Sequence, residues 1–244
     1  MPVTVDMISK YTGREVEDEY GRTLGVLVSF YSDVEGIVEA VEVKLADRSI
    51  EKVEADRVKI GDGKLLIVPE WKHKAVKVIE ALDRAYKRRK AIESIEGGDL
   101  PSEVVASFKL RLAEEIKKLK RLAEEAKETI KRRIDEISDE SLHVARAIAS
   151  LKMLYFSGEV GEAHYTQSIN HLRRLRDALT REREDAKRIL DKLEKTLQAA
   201  STGVAGRGEE KKPQPAHAPA APAAVPKPPV STPGDAIVVH VEEG

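Results

Sequence analysis

Residues 105–137 read VASFKLRLAEEIKKLKRLAEEAKETIKRRIDEI, and this stretch decides the fold. Val105, Leu112, Leu119 and Ala126 recur at intervals of seven. Ile116, Ala123, Ile130 and Ile137 repeat the interval four places on. Apolar residues at that spacing lie along one side of a helix and form the a/d seam of a coiled coil. Arg133 interrupts the first series and Ile134 takes its place, so the seam drifts there. The pattern continues through Leu142, Ala145, Ile148, Leu151 and Tyr155. A helix of about 55 residues would run on the order of 80 Å.

The flanks of that helix are marked. Gly97-Gly98-Asp99 breaks the chain before it, and Ser102 is placed to cap its first turn ahead of Glu103. Two glycines in Ser157-Gly158-Glu159-Val160-Gly161 end it. A further helix follows, with Leu172, Leu175, Leu179, Glu182, Ala186, Ile189, Leu193 and Thr196 stepping by three and four. Glu182 is the awkward member of that series, a carboxylate on an apolar seam. A short loop between two long seamed helices predicts an antiparallel hairpin over 99–200, reversing near 157–161, with Tyr155, Phe156 and Tyr165 packing its turn. Two helices alone leave a face short of burial. Self-association through Leu112, Leu119, Leu172, Leu175, Leu179, Ile189 and Leu193 is the expected remedy, giving a dimer or a filament.

A connecting helix is expected over 73–98, apolar at Ala75, Val78 or Ile79, Leu82, Ala85 or Tyr86, and Ile92. Its basic cluster is Arg84, Lys87, Arg88, Arg89 and Lys90. With Lys131, Arg132, Arg133, Arg173 and Arg174 these are the candidates for contact with a polyanion, either DNA backbone or anionic lipid. Residues 73–200 carry 28 basic and 23 acidic side chains, whereas residues 1–72 carry 10 and 15, so the near-zero net charge hides a basic middle. The competing reading is an ordinary solvated coiled-coil surface, since no aromatic platform for stacking bases is interleaved.

Residues 1–72 change period. Val26, Val28 and Phe30 alternate with polar or small residues, as do Val41, Val43 and Leu45, and Leu66–Val68 is a short apolar run. Turn signals separate them at Thr12-Gly13, Tyr20-Gly21, Glu35-Gly36, Asp47-Arg48-Ser49 and Gly61-Asp62-Gly63. Short strands at that spacing predict a small antiparallel barrel or meander, closed to hide its edges. Gly25 is placed for a bend or a close approach of neighbouring backbone, and Trp71 for a cap on the barrel's exit.

On these residues the segment resembles the PRC-barrel pattern. The match lies in Gly13-Arg14-Glu15-Val16, Asp18-Glu19-Tyr20-Gly21, Leu24-Gly25-Val26-Leu27-Val28, Ile50-Glu51-Lys52-Val53 and Val58-Lys59-Ile60-Gly61-Asp62. A resemblance of this kind implies a fold and leaves function open.

The last part is different again. Eight of the eleven prolines lie beyond residue 200, with an alanine-rich run over 216–224. Residues 201–234 are read as a disordered Pro/Ala linker that builds no core. Beyond it Ala236, Ile237, Val238, Val239, His240 and Val241, within 235–244, form a strand with nothing nearby to pair with. Pairing with a sheet edge in another protein is the functional reading, with Ile237, Val239 and Val241 filling pockets. A frayed end, or a return to the chain's own barrel, are the plain ones.

The chemistry this sequence excludes is broad. Cysteine is absent, which removes disulfides and thiolate metal sites. None of the six histidines stands in a metal-binding spacing, and no nucleophile elbow, phosphate loop or dinucleotide fingerprint occurs. No apolar run approaches the roughly 20 residues of a membrane span. No catalytic residue, metal or cofactor is expected, and any membrane contact is expected to be peripheral.

Taken in order, barrel, helical hairpin, Pro/Ala linker and terminal Ile-Val-Val-His-Val strand resemble the CdvA family of archaeal cell division proteins over the whole chain. The resemblance implies a non-enzymatic cytoskeletal scaffold in the cytoplasm at the mid-cell division site. It would polymerise and recruit the ESCRT-III-like protein CdvB through Ala236–Val241. It further implies association with DNA and peripherally with membrane, which would fall to the basic helices. Two other readings stay open on the residues: a DNA-binding chromatin or segregation protein, and an adaptor in RNA or ribosome maturation.

Overall fold

A computed structural model describes residues 2–95 and 101–201. The Gly97-Gly98-Asp99 break, the Pro/Ala linker and the terminal strand lie outside the described residues. A short helix α1 (Val5–Ile8) precedes six strands: β1 (Glu15–Asp18), β2 (Thr23–Ser32), β3 (Val38–Leu45), β4 (Ile50–Glu54), β5 (Val58–Gly61) and β6 (Lys64–Ile67). Three long helices follow: α2 (Glu70–Ile95), α3 (Ser102–Phe156) and α4 (Glu162–Ser201).

The strands form one sheet in the order β4-β3-β2-β1-β6-β5. Its core is built from the inward positions of the strands, with Val16, Leu27, Val41 and Leu65 fully buried beside Ile8 and Tyr11. The expected all-antiparallel closed barrel is corrected in two respects. β1 and β6 pair in parallel, Val16 opposite Leu65. Nor does a ladder join the end strands β4 and β5 among the described residues; a turn of 3-10 helix at Ala55–Arg57 connects them. At Gly25 the close approach is severe, since a Cβ there would sit 2.1 Å from the Lys44 carbonyl oxygen of β3.

Trp71 belongs to α2 rather than to the sheet's exit. Ser102 opens α3 as its first helical residue, and the capping position is Pro101, whose side chain makes no capping bond. At the other end Gly158 takes φ +81°, and Glu159 and Val160 both donate to the Leu154 carbonyl. This left-handed residue lets the chain turn back into α4. α3 and α4 pack antiparallel: Tyr155 stacks on Tyr165 at 4.2 Å, Arg133 meets Glu182, and Lys127 meets Glu194. Phe156, expected to pack the turn, is instead 80% exposed.

α2 is the element that changes the packing. Trp71, Ala75, Ile79 and Leu82 share a core with Ala123 and Ile130 of α3 and with Ala186, Ile189 and Leu193 of α4. Farther along, Ala85 packs with Leu112 and Ile116. Beyond Ile137 the pair α3–α4 has a core of its own, Ile137, Val144 and Leu179 with Leu172 and Leu175 around them. The seam assigned to self-association is therefore covered within one protomer. Leu112, Leu179, Ile189 and Leu193 are buried there, and Leu119, Leu172 and Leu175 are half-buried. Burial against α2 satisfies the apolar stripe that a two-helix arrangement would have left bare.

Gly25→Ala drives a methyl group into the β3 backbone, and the sheet must open to admit it. The expected outcome is a loss of roughly 3 kcal/mol or more, the upper range for point substitutions, seen as a lower denaturant midpoint by circular dichroism.

Candidate functional site

Among the described residues no group of three His, Asp or Glu side chains is placed to hold a metal ion, and no helix is long and apolar enough to cross a membrane. The concentration of polar chemistry lies where the β1–β2 turn meets the three long helices. The turn is shaped from within. Asp18 Oδ1 accepts from the backbone amides of Tyr20 and Arg22, both at 2.9 Å, and its Oδ2 accepts from Arg22 Nε at 2.6 Å. Gly21, at φ +85°, supplies the left-handed step. Tyr20 and Arg22 are thereby aimed at the helices.

Glu182 of α4 receives them. It is 1% exposed, yet its carboxylate is surrounded by donors. Arg133 of α3 grips it with two bonds, Nε to Oε1 at 2.9 Å and Nη2 to Oε2 at 3.1 Å. Arg22 Nη2 reaches Oε2 at 2.7 Å, and Trp71 Nε1 donates to Oε1 at 3.2 Å. Burial pushes the Glu182 pKa up, but the Arg133 bonds, the Arg22 charge and the Trp71 donor outweigh it, so the carboxyl titrates below its ordinary range. Arg133 also binds Glu136 at 3.0 Å and Glu140 at 2.8 Å, and its guanidinium is held protonated.

A second cluster flanks the first. Tyr20 Oη donates to Asp185 at 3.0 Å, and Lys72 Nζ bridges Asp185 and Glu19 at 2.7 Å each. Burial, then the Asp185 carboxylate, raises the Tyr20 pKa far above its usual value. Arg181 Nη2 donates to the Tyr20 carbonyl at 2.7 Å. Four elements are thus tied at one level, by charge and hydrogen bonds around an apolar centre.

The basic candidates divide. Arg133 is corrected: its guanidinium is taken up by three carboxylates and it is not offered to a polyanion. On α2, Arg84 lies 3.6 Å from Glu80, Lys87 2.8 Å from Asp83 and Arg89 3.3 Å from Glu93, each one turn away. Lys131 pairs with Glu128, and Arg88, Lys90, Arg132, Arg173 and Arg174 are exposed. Lys87, Arg89 and Lys90 line a groove of about 400 Å³ with Lys192 and Lys195 of α4, beside Tyr86. The partner-binding residues Ala236–Val241 lie outside the described residues.

The junction was not foreseen, although its signal was present: Arg133 and Glu182 interrupt facing seams at similar distances from the helix reversal.

The model of the CdvA-like coiled-coil domain matches residues 70–216, a range that opens at the first residue of α2 and runs past α4. This chain belongs to the CdvA family. The chain is also 31% identical over 195 residues to Cell division protein A of Sulfolobus acidocaldarius, covering 80% of this chain and 82% of that one. No solved structure matches the chain.

Arg133→Met leaves the buried Glu182 charge with one cation fewer, and a loss of about 3 kcal/mol is expected. The double variant Arg133→Met with Glu182→Leu recovers most of it, because the uncompensated charge is gone; urea unfolding measures both. The pH dependence has a definite sign. The folded-state pKa of Glu182 lies below 4.5, so its contribution is full above that pH and is lost as pH falls through the folded value. The melting temperature of the wild type therefore drops more steeply on acidification than that of the double variant.

Proposed function

We infer that this chain is a non-enzymatic cytoskeletal scaffold of cell division. The observation that carries the reading is family membership through the helices, together with a relative named for cell division that is similar across four-fifths of the chain. In this reading the sheet is a PRC-barrel-like domain, α3 and α4 are a coiled-coil hairpin, and copies assemble into filaments at the mid-cell division site. The terminal strand Ala236–Val241 recruits an ESCRT-III-like partner, CdvB, by adding to a sheet edge. Repetition along a filament multiplies a weak single contact into strong collective recruitment.

The groove between α2 and α4 supports a second element of the reading, contact with DNA backbone. Its five basic residues face two carboxylates, Asp83 and Glu93, along the lining. Membrane contact is peripheral in this scheme and passes through the partner or the basic helices.

Truncation after Gly234 should leave assembly intact by electron microscopy and abolish capture of CdvB. Val239→Asp, which places a charge among apolar contacts, should weaken capture in the full chain. Capture that survives truncation would remove the docking role from the tail. For the groove, Lys87→Ala with Lys90→Ala should weaken duplex binding irrespective of sequence and flatten its logarithmic salt slope by about 2.

A further inference from the structure

The distal part of α3 carries an apolar face that no other described element covers. Leu142, Ala149, Met153 and Phe156 are spaced by seven, four and three residues, which places them on one side of the helix. Leu142 is 51% exposed, Met153 66% and Phe156 80%. Nearer the sheet, the corresponding need is met by α2. Past the Arg133–Glu182 contact, α3 and α4 have only each other among the described residues, around Ile137, Val144 and Leu179. The surroundings are poor in charge. Between Ser141 and Leu172 only Arg146, Lys152, Glu159 and Glu162 are charged, in a chain that is 35% charged overall.

We propose that this face is the contact between two copies of the chain, with α3 against α3 in antiparallel register about a two-fold axis at Ala149. The spacing itself is symmetric: Leu142 and Phe156 each stand seven residues from Ala149. Antiparallel pairing therefore sets Leu142 of one copy against Phe156 of the other, twice, as a self-complementary interface requires. It also matches a larger side chain to a smaller one at both ends of the contact, which keeps the packed volume even. Ala149 at the centre lets the helices approach to about 8 Å. The apolar face itself carries no charge, and in this register Arg146 of one copy comes level with Lys152 of the other only at its flanks. Scarcity of charge around it argues against a lipid surface, since an interfacial helix of that kind is flanked by many lysines and arginines, and here only Arg146 and Lys152 are nearby. The contact spans about 21 Å of helix, which suits a modest interface reinforced by repetition. This inference rests on the self-assembly in the scaffold reading and gives it an address.

The chain has no cysteine, so an introduced thiol is unique. In the full chain, Ala149→Cys should form a disulfide-linked dimer on mild oxidation, because the residue on the axis faces its own copy. Leu142→Cys and Phe156→Cys should each remain unlinked alone and cross-link when mixed. Self-linking of Leu142→Cys would mean a parallel contact and would overturn the proposal. Met153→Glu with Phe156→Glu should raise the dimer dissociation constant at least tenfold in sedimentation equilibrium, with helical circular dichroism unchanged. If that variant associates like the wild type, the face is not the contact, while the scaffold reading stands. If it loses only binding to vesicles of anionic phospholipid, the face belongs to a membrane and the proposal fails. A wild type that stays monomeric at every concentration would sink the proposal and the scaffold reading together.

Discussion

A carboxylate buried to 1% exposure must be surrounded by donors or it will not stay charged, and Glu182 sets that condition for the rest of the molecule. Its donors come from far apart in the sequence: Arg22 from the β1–β2 turn, Trp71 from the start of α2, and Arg133 from the middle of α3. Each bond is directional, so meeting all of them fixes the level at which the sheet, α2 and α3 meet α4. The net stabilisation of such a cluster is modest, because desolvation offsets most of the attraction. Apolar packing around it supplies the bulk of the free energy, from Ile79, Leu82, Ile130 and Ile189. The charges select among the registers that the repeating seam would otherwise allow. A heptad pattern resists a slip by one residue, but a slip by a whole heptad keeps apolar against apolar. Arg133 against Glu182 is lost in any such slip.

The second consequence follows from where α2 begins. Its first turn is at the junction, and its apolar stripe then runs along α3 and α4. One part of the helical pair is thereby given a third helix, and the other part is not. The same leucines that would have made a dimer seam become an internal core, and the uncovered apolar surface moves to the far end of α3. The heptad seam is thus taken up within the protomer over most of its length, and what stays exposed lies at the far end of α3. The basic cluster of α2 is likewise reshaped by its neighbours. Arg84, Lys87 and Arg89 each have a carboxylate one turn away, as does Lys195 of α4 in Asp191, which lowers the field they project, while Lys192 adds to it along the groove.

Much of this architecture follows from local rules, and those parts were readable in the residues. Periods of seven and of two require no knowledge of neighbours, so a strand-rich start followed by long helices followed from the order of residues alone. The turn glycines, Gly21 and Gly158 among them, likewise announce their positions, since a left-handed step is cheap only for that residue. What local rules leave open is a choice between partners. Arg133 and Glu182 each looked like a flaw in a seam, and only their meeting across the antiparallel pair shows them to be one feature. A parallel β1–β6 pairing in a sheet of otherwise antiparallel strands was equally hidden, because alternation has the same period in both.

The sequence by itself determined the kinds of element and their order, and the tertiary structure decided which surfaces remain open. Amphipathic patterning states that a face must be buried without stating against what. Leu112 and Leu193 would have satisfied the same pattern against a second copy. They are buried against the protomer's own helices because a short connection delivers α2 to that seam at high effective concentration. The exposure of Leu142, Met153 and Phe156 is the counterpart of that choice, since no described element extends over the far end of α3 to cover them.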